Sequence, residues 1–162
     1  TIMYSFVSMG VVSVVWVLWG YSLAFGAGGQ FIGNLDFIGF KDVSSDPESG
    51  DMLFAIFQMM FAIITPALIT GAIAERFKFT TYLVFLVAWI TFVYAPIAHW
   101  VWAGDGWLFE MGALDFAGGT VVHINAGIAA VVAAWMVGKR RGVDRGVEPH
   151  NVPFVILGAG IL

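Results

Sequence analysis

One histidine of this sequence lies where a titratable group is costly. His123 stands within residues 118–127 (GGTVVHINAG), in a stretch otherwise apolar enough to cross a bilayer. An imidazole can donate, accept or transfer a proton, and ionisable groups inside membrane helices usually face a bundle interior or a pore. Ala126 and Gly127 follow one helical turn later, so they leave room beside the ring for a small substrate. The residues alone leave two interpretations open, a pore-lining imidazole or a buried histidine bonded to a neighbouring helix.

Aromatic side chains offer a second kind of chemistry, the attraction of a cation to a ring face. Phe57 and Phe61 have helical spacing, and Leu68 lies seven residues beyond Phe61 on the same helix face. Trp102 belongs to a tryptophan cluster typical of the aromatic belt at a membrane surface. A Phe and a Trp together at a pore mouth would bind a cation by about 2 kcal/mol when desolvated. The sequence does not by itself bring Phe61 and Trp102 together, so ordinary packing stays the alternative.

Asp115 precedes His123 by eight residues and stands where a helix is expected to begin. An aspartate there can cap the free N–H groups and complement the helix dipole, which is the role we favour. Holding an incoming cation is the alternative role. We expect His99 to be a hydrogen-bonded interface residue and His150 to be solvated.

The elements that position these residues are predicted to be membrane helices. The chain is 60% hydrophobic and 11% charged, which indicates an all-α, polytopic transmembrane bundle rather than a soluble domain. Spans are predicted at about 2–25, 52–74, 81–102 and 116–137, and a fifth begins at 152. That fifth run is shorter than a bilayer requires. We therefore expect a fragment of a longer protein, cut at both ends.

Charge orients the spans and excludes several functions. Six of the seven Lys and Arg residues lie in the two loops after the second and fourth spans, which predicts that these loops are cytoplasmic. The opposite loops hold eight of the eleven acids, so that face is either merely solvated or attracts cations weakly. A net charge of −4 and the lack of a basic stripe argue against a nucleic-acid partner. Without cysteine or a recognisable catalytic motif, we predict no enzyme, metal site or cofactor.

Four stretches of the sequence resemble the ammonium transporter family, the superfamily of ammonium transporters, methylammonium permeases and Rhesus proteins. They are residues 69–76 (ITGAIAER), 96–102 (PIAHWVW), 114–125 (LDFAGGTVVHIN) and 138–140 (GKR). The match runs in order over nearly the whole chain. It implies a cell-membrane protein with an eleven-helix fold of two inverted repeats, assembled as a homotrimer with one pore per subunit. This chain would cover the second helix to the start of the sixth.

The resemblance also implies roles for individual residues. Phe61 corresponds to the outer-gate phenylalanine, which helps to recruit ammonium, and Trp102 to the tryptophan that lines the recruitment site. Asp115 corresponds to the structurally important aspartate nearby. His123 corresponds to the first of two pore histidines, and Leu68 to a pore-lining apolar residue. The second histidine, the recruitment-site serine and the second gate phenylalanine are expected outside this chain.

The function so implied is transport of ammonium or ammonia, with methylammonium as a further substrate. The cation would be recruited at the aromatic site and deprotonated, and ammonia would pass an apolar pore lined by histidine. A cytoplasmic regulatory protein is a further implied partner, and no cofactor is needed. The alternative is a membrane-embedded ammonium sensor fused to a signalling module, which the sequence following the membrane domain would distinguish.

Overall fold

The computed structural model describes residues 2–140, 149 and 151–161, and all regular secondary structure within them is helical, without strands. His150, expected to be solvated, lies outside the described residues. Four of its helices are long and apolar enough to cross a membrane. The predicted all-α membrane bundle is therefore confirmed. In chain order, the helical segments of the described residues are α-helix Ile2–Val15, π-turn Trp16–Gly20, α-helix Tyr21–Phe25, 3-10 turn Ile38–Phe40, α-helix Asp51–Ile73, α-helix Phe79–Trp89, π-turn Ile90–Tyr94, α-helix Ala95–Trp102, α-helix Trp107–Glu110, π-turn Gly119–Ile124, α-helix Asn125–Val137 and α-helix Val152–Ile161.

The first three spans pack around buried aromatic side chains. Trp16 is fully buried, and its indole N–H donates to the carbonyl of Ala55 at 3.1 Å, which ties the first span to the second. Its ring meets that of Tyr94 edge-on, with centroids 6.1 Å apart. One turn further on, the indole of Trp19 donates to the hydroxyl of Thr91 at 2.9 Å. Because a bilayer offers no water to satisfy these N–H groups, the bonds fix how the spans are rotated against each other.

The long outer loop between the first two spans has little regular structure, but polar groups hold it in place. The hydroxyl of Ser22 donates to the carbonyl of Asn34 at 2.9 Å and accepts the N–H of Phe37 at 2.9 Å. The only helical piece of residues 26–50 is the 3-10 turn Ile38–Phe40. The loop is therefore anchored to the outer end of the first span.

The fourth span packs mainly along the second span. It begins at Gly119, rather than at about 116 as the hydropathy predicts. The difference arises at Gly118, whose φ of +88° lies in the left-handed region and ends any helix that would start earlier. Large apolar side chains on both spans stay exposed, among them Phe57 and Val131. Both spans thus keep apolar side chains exposed in this part of the protein.

Candidate functional site

The carboxylate of Asp115 lies directly beneath the start of the fourth span. Its Oδ1 accepts the N–H groups of Gly118 and Gly119, both at 2.7 Å. Its Oδ2 accepts those of Thr120 at 2.8 Å and Val121 at 3.0 Å. These four donors have no partner within the helix. The negative charge also meets the positive end of the helix dipole, so the side chain acts as a cap.

The first turn above this cap is a π-turn, Gly119–Ile124, and it carries His123. The carbonyl of Gly118 accepts the N–H of Val122 and also that of His123, each at 3.0 Å. A wide turn of this kind rotates the following side chains relative to an α-helix and is common at functional sites. The sequence does not predict this π-turn, since the bond that defines it joins two backbone groups, the N–H of His123 and the carbonyl of Gly118.

His123 lies in the first turn of the fourth span, and its surroundings are open within the described residues. The residue is exposed, and a side chain placed at Gly127 would meet no atom within 4 Å. Of the two small residues that predict space beside the ring, Gly127 is open among the described residues, whereas Ala126 is buried. On the second span, Leu68 is 38% exposed and Phe57 is 54% exposed.

Phe61 and Trp102, which the sequence could not bring together, are in contact. Their ring centroids lie 5.5 Å apart at an interplanar angle of 67°, and Phe57 meets Phe61 edge-on at 5.0 Å. Both members of the first pair are only partly buried. The indole N–H of Trp102 donates to the backbone carbonyl of Asp115 at 2.8 Å. The aromatic pair is therefore joined to the cap, and through it to the helix that carries His123.

His99 occupies a different place from these residues. It is fully buried, and its Nδ1 lies 2.9 Å from the carbonyl of Ala24 while its Nε2 lies 2.6 Å from the carbonyl of Gly29. The carboxylate of Asp105 lies 3.6 Å from Nε2. The expectation of a hydrogen-bonded interface histidine agrees with this geometry, in which His99 joins the third span to the end of the first span and to the outer loop.

Two buried amides were not singled out by the sequence. Gln58 and Asn125 are each 7% exposed, and within the described residues the Oε1 of Gln58 and the Nδ2 of Asn125 have no hydrogen-bond partner. Each interrupts an apolar run, which is the signal that could have drawn attention to them.

The residues that the structure describes contain no group of three His, Cys, Asp or Glu side chains suited to hold a metal ion.

Sequence comparison identifies relatives along the whole chain. The sequence model of the Ammonium Transporter Family matches residues 1–162. The ammonium transporter of Bacillus subtilis is 48% identical over 169 residues, an alignment that covers all of this chain and 41% of that protein. The chain therefore spans about two fifths of the length of this curated relative.

Two solved structures are similar in fold. Mep2 of Candida albicans has a TM-score of 0.85 at 41% identity, over 94% of this chain and 36% of that one. A structure described as a sensor Amt protein has a TM-score of 0.84 at 34% identity, over 96% of this chain and 42% of that one. Together with the family model, they confirm the resemblance found in the sequence and support a multi-pass membrane protein rather than an enzyme. The chain belongs to the ammonium transporter family.

Proposed function

We propose that the full-length protein transports ammonium across the cell membrane, with Phe61 and Trp102 recruiting the cation and His123 lining its path. The observation that carries this proposal is the aromatic pair, 5.5 Å between centroids, bonded through Trp102 to the cap of the helix that bears His123. Recruitment and conduction would thus occur at two levels of one connected structure. Leu68, exposed on the same span as Phe61, would contribute to the apolar wall.

The energetics of an apolar passage favour crossing as ammonia. A cation against desolvated aromatic rings gains about 2 kcal/mol, which offsets only part of its lost hydration. An unpaired charge carried further into an apolar pore would cost many kcal/mol. Ammonium avoids that cost by releasing a proton to water outside the entrance, and ammonia then exchanges hydrogen bonds with the imidazole of His123. Potassium has no proton to release, so the same pore would exclude it.

The surroundings of the site fit a cation substrate. Eight of the eleven acids lie on the outer loops or at the outer ends of the helices, and their field would raise the local ammonium concentration at low salt. Methylammonium, which also carries a removable proton, would be a second substrate. We further propose a homotrimeric assembly with one pore per subunit, and regulation by a protein on the cytoplasmic side.

A sensor is the second candidate function, favoured by the likeness to the sensor Amt protein at a TM-score of 0.84. A sensor would keep the recruitment site at Phe61 and Trp102 but pass its signal to an attached cytoplasmic module. The two functions differ in conduction, since a sensor can bind ammonium without carrying it across the membrane.

Transport by the full-length protein and two of its variants tests both functions. In proteoliposomes, His123→Ala should reduce ammonium-dependent uptake, while Trp102→Leu should raise the ammonium concentration needed for half-maximal uptake. Trp135→Leu is the matched control, because Trp135 is 83% exposed on the same span as His123 and lies outside the proposed site. Uptake that His123→Ala leaves unchanged would refute the pore role. Ammonium binding without any uptake by the unmodified protein would favour the sensor.

A further inference from the structure

A long apolar groove lies between the third and fourth spans. It has a volume of about 670 Å³, and it reaches from Trp107, at the outer end of the third span, to Val137, the last residue of the fourth. Most of the side chains that line it are aliphatic or aromatic, and Asn125 is one of the few polar ones. The groove therefore offers an apolar seat that follows the length of the fourth span.

The fourth span contributes a row of side chains spaced four residues apart. Asn125, Ala129, Ala133 and Val137 all line the groove, and residues at this spacing follow one face of an α-helix. Since each residue adds about 1.5 Å, the row is about 18 Å long. Two of its four members are alanines, and small residues let the backbone of a second helix approach closely in membrane bundles.

The third span contributes a matching row. Phe85, Trp89, Val93 and Ile97 line the groove, again at intervals of four residues. Rows of this kind form the ridges between which the side chains of a neighbouring helix pack. The two rows together thus have the spacing of a seat for a third helix.

A polar group in the groove shows what chemistry this third helix needs. Asn125 is 7% exposed, and its Nδ2 has no hydrogen-bond partner among the described residues. It lies six residues into the span Gly119–Val137, about 9 Å from its outer end. An amide without a partner is costly in apolar surroundings, and lipid tails offer no acceptor. A helix can offer one, as a backbone carbonyl or as a polar side chain.

Trp107 gives the same indication near the membrane surface. Its indole Nε1 is buried and has no partner in the part of the chain that the structure describes. Water or a lipid head group can reach this level of the membrane, so Trp107 alone does not identify the occupant. Asn125, which lies deeper, distinguishes a helix from lipid.

The full-length protein has enough chain to supply such a helix. The alignment covers 41% of the Bacillus subtilis ammonium transporter, so most of that relative lies outside it. A segment of the same chain is tethered near the groove and has a high effective concentration there, whereas a second copy must first associate. The same chain is therefore the favoured source.

We propose that a further transmembrane helix of the full-length protein lies in this groove and accepts a hydrogen bond from the amide of Asn125. The bond would fix the rotation of the fourth span two residues beyond His123, which makes Asn125 a positioning residue. The contact is one of folding and does not depend on the proposed transport function.

Photocrosslinking of the full-length protein in membranes identifies the occupant. The photoreactive residue p-benzoylphenylalanine would replace Ile128, which lines the groove and is 62% exposed among the described residues. We expect mass spectrometry to find it joined to a peptide of the same chain outside residues 1–162. The control replaces Val84, which is 69% exposed on the third span and lines a different groove, and which should not capture that peptide.

Mixing isotope-labelled and unlabelled protein separates one chain from two. Crosslinked peptides that carry both labels would show that a second copy fills the groove, and would overturn the proposal. Adducts with lipid alone, or an equal yield of the same peptide from position 84, would overturn it as well.

Thermal unfolding of the full-length protein in detergent tests the hydrogen bond itself. Asn125→Leu should lower the melting temperature by about 1–3 °C, because the acceptor on the docked helix loses its donor. Asn125→Gln keeps an amide and should lose less, and the packing control Ile128→Leu should change the temperature least. A higher melting temperature of Asn125→Leu would overturn the bond, because removing an amide without a partner is favourable. If Asn125→Leu fails to fold, the crosslinks from position 128 still decide whether a helix lies in the groove.

Discussion

Replacing Asp115 by asparagine tests whether its carboxylate positions the helix that carries His123. The two carboxylate oxygens accept four backbone N–H groups at 2.7–3.0 Å. Asparagine has nearly the same shape but only one acceptor oxygen. Its amide nitrogen would therefore face two of the four N–H groups, donor against donor.

The magnitude follows from those bonds. Leaving two partly buried N–H groups without an acceptor costs about 1–3 kcal/mol each, or about 2–6 kcal/mol together. The other two bonds persist but lose their charge assistance, which weakens each by roughly half. Since about 1.4 kcal/mol corresponds to a tenfold change in population, even the lower value disfavours the capped turn by more than tenfold. The π-turn that orients His123 would then be populated far less.

Two measurements on the full-length protein separate this role from a simple effect of charge. Thermal unfolding in detergent should occur at a lower temperature for Asp115→Asn, and the maximal rate of ammonium uptake in proteoliposomes should fall about tenfold or more. Glu48→Gln is the control, because it removes one negative charge from an exposed residue of the outer loop that caps no membrane span. It should leave the melting temperature and the maximal rate unchanged.

The reasoning fails if Asp115→Asn unfolds at the same temperature as the unmodified protein and transports at the same maximal rate. A third result would assign a different role. If Asp115→Asn and Glu48→Gln both shifted only the ammonium concentration for half-maximal uptake, Asp115 would act through its charge on the arriving cation rather than through the cap.

Three further variants test other parts of the structure by thermal unfolding. Gly118→Ala should destabilise the protein by about 1–3 kcal/mol, because the backbone is left-handed there and the new Cβ would lie only 2.7 Å from Cγ2 of Val122. Gly119→Ala should lower the melting temperature much less, because its nearest contact is 3.9 Å away. Equal melting temperatures of the two variants would contradict this. A neutral imidazole donates one N–H, so the ring of His99 pairs with the carbonyl of either Ala24 or Gly29. His99→Ala should therefore cost about 1–3 kcal/mol by leaving that carbonyl unpaired, and His99→Gln, whose amide can still donate, should lose less. No loss in either variant would show that this bond contributes little. Trp16→Phe should cost about 0.5–1.5 kcal/mol by removing the hydrogen bond from the indole to the carbonyl of Ala55. Trp135→Phe, at an exposed site, should cost almost nothing. A larger effect at Trp135 would refute the assigned packing.

Hydropathy was sufficient to predict the membrane class and the number of complete spans. Long apolar runs have few alternatives in a bilayer, so the second span, Asp51–Ile73, could be placed to within one residue at each end. The start of the fourth span could not. Its position depends on the left-handed backbone of Gly118 and on the four hydrogen bonds to the carboxylate of Asp115. Hydropathy measures only apolar content and so predicts neither of these features.

Contacts between spans were beyond the reach of the sequence for a different reason. Phe61 and Trp102 are 41 positions apart on separate helices, and hydropathy does not determine which spans are neighbours or how each is rotated. The hydrogen bonds from Arg76 to the carbonyl of Gly138 and from Arg140 to that of Gly71 could not be predicted either. Every residue has a backbone carbonyl that can accept, so the sequence does not indicate which one an arginine will bind. The aspartate cap was foreseeable because an acid at a helix start has a specific local partner.

Asp115 also explains how the aromatic pair and the histidine helix share one arrangement. Its backbone carbonyl accepts the indole N–H of Trp102, while its side chain holds the first turn of the fourth span. A shift of this one residue would therefore move the ring of Trp102 and His123 together. Trp102→Leu removes only the first link, because the carboxylate keeps its four N–H partners; Asp115→Asn weakens only the second, because the backbone carbonyl stays in place. The non-additivity of the two variants consequently measures how far the proposed recruitment at the rings depends on the position of the helix that carries His123.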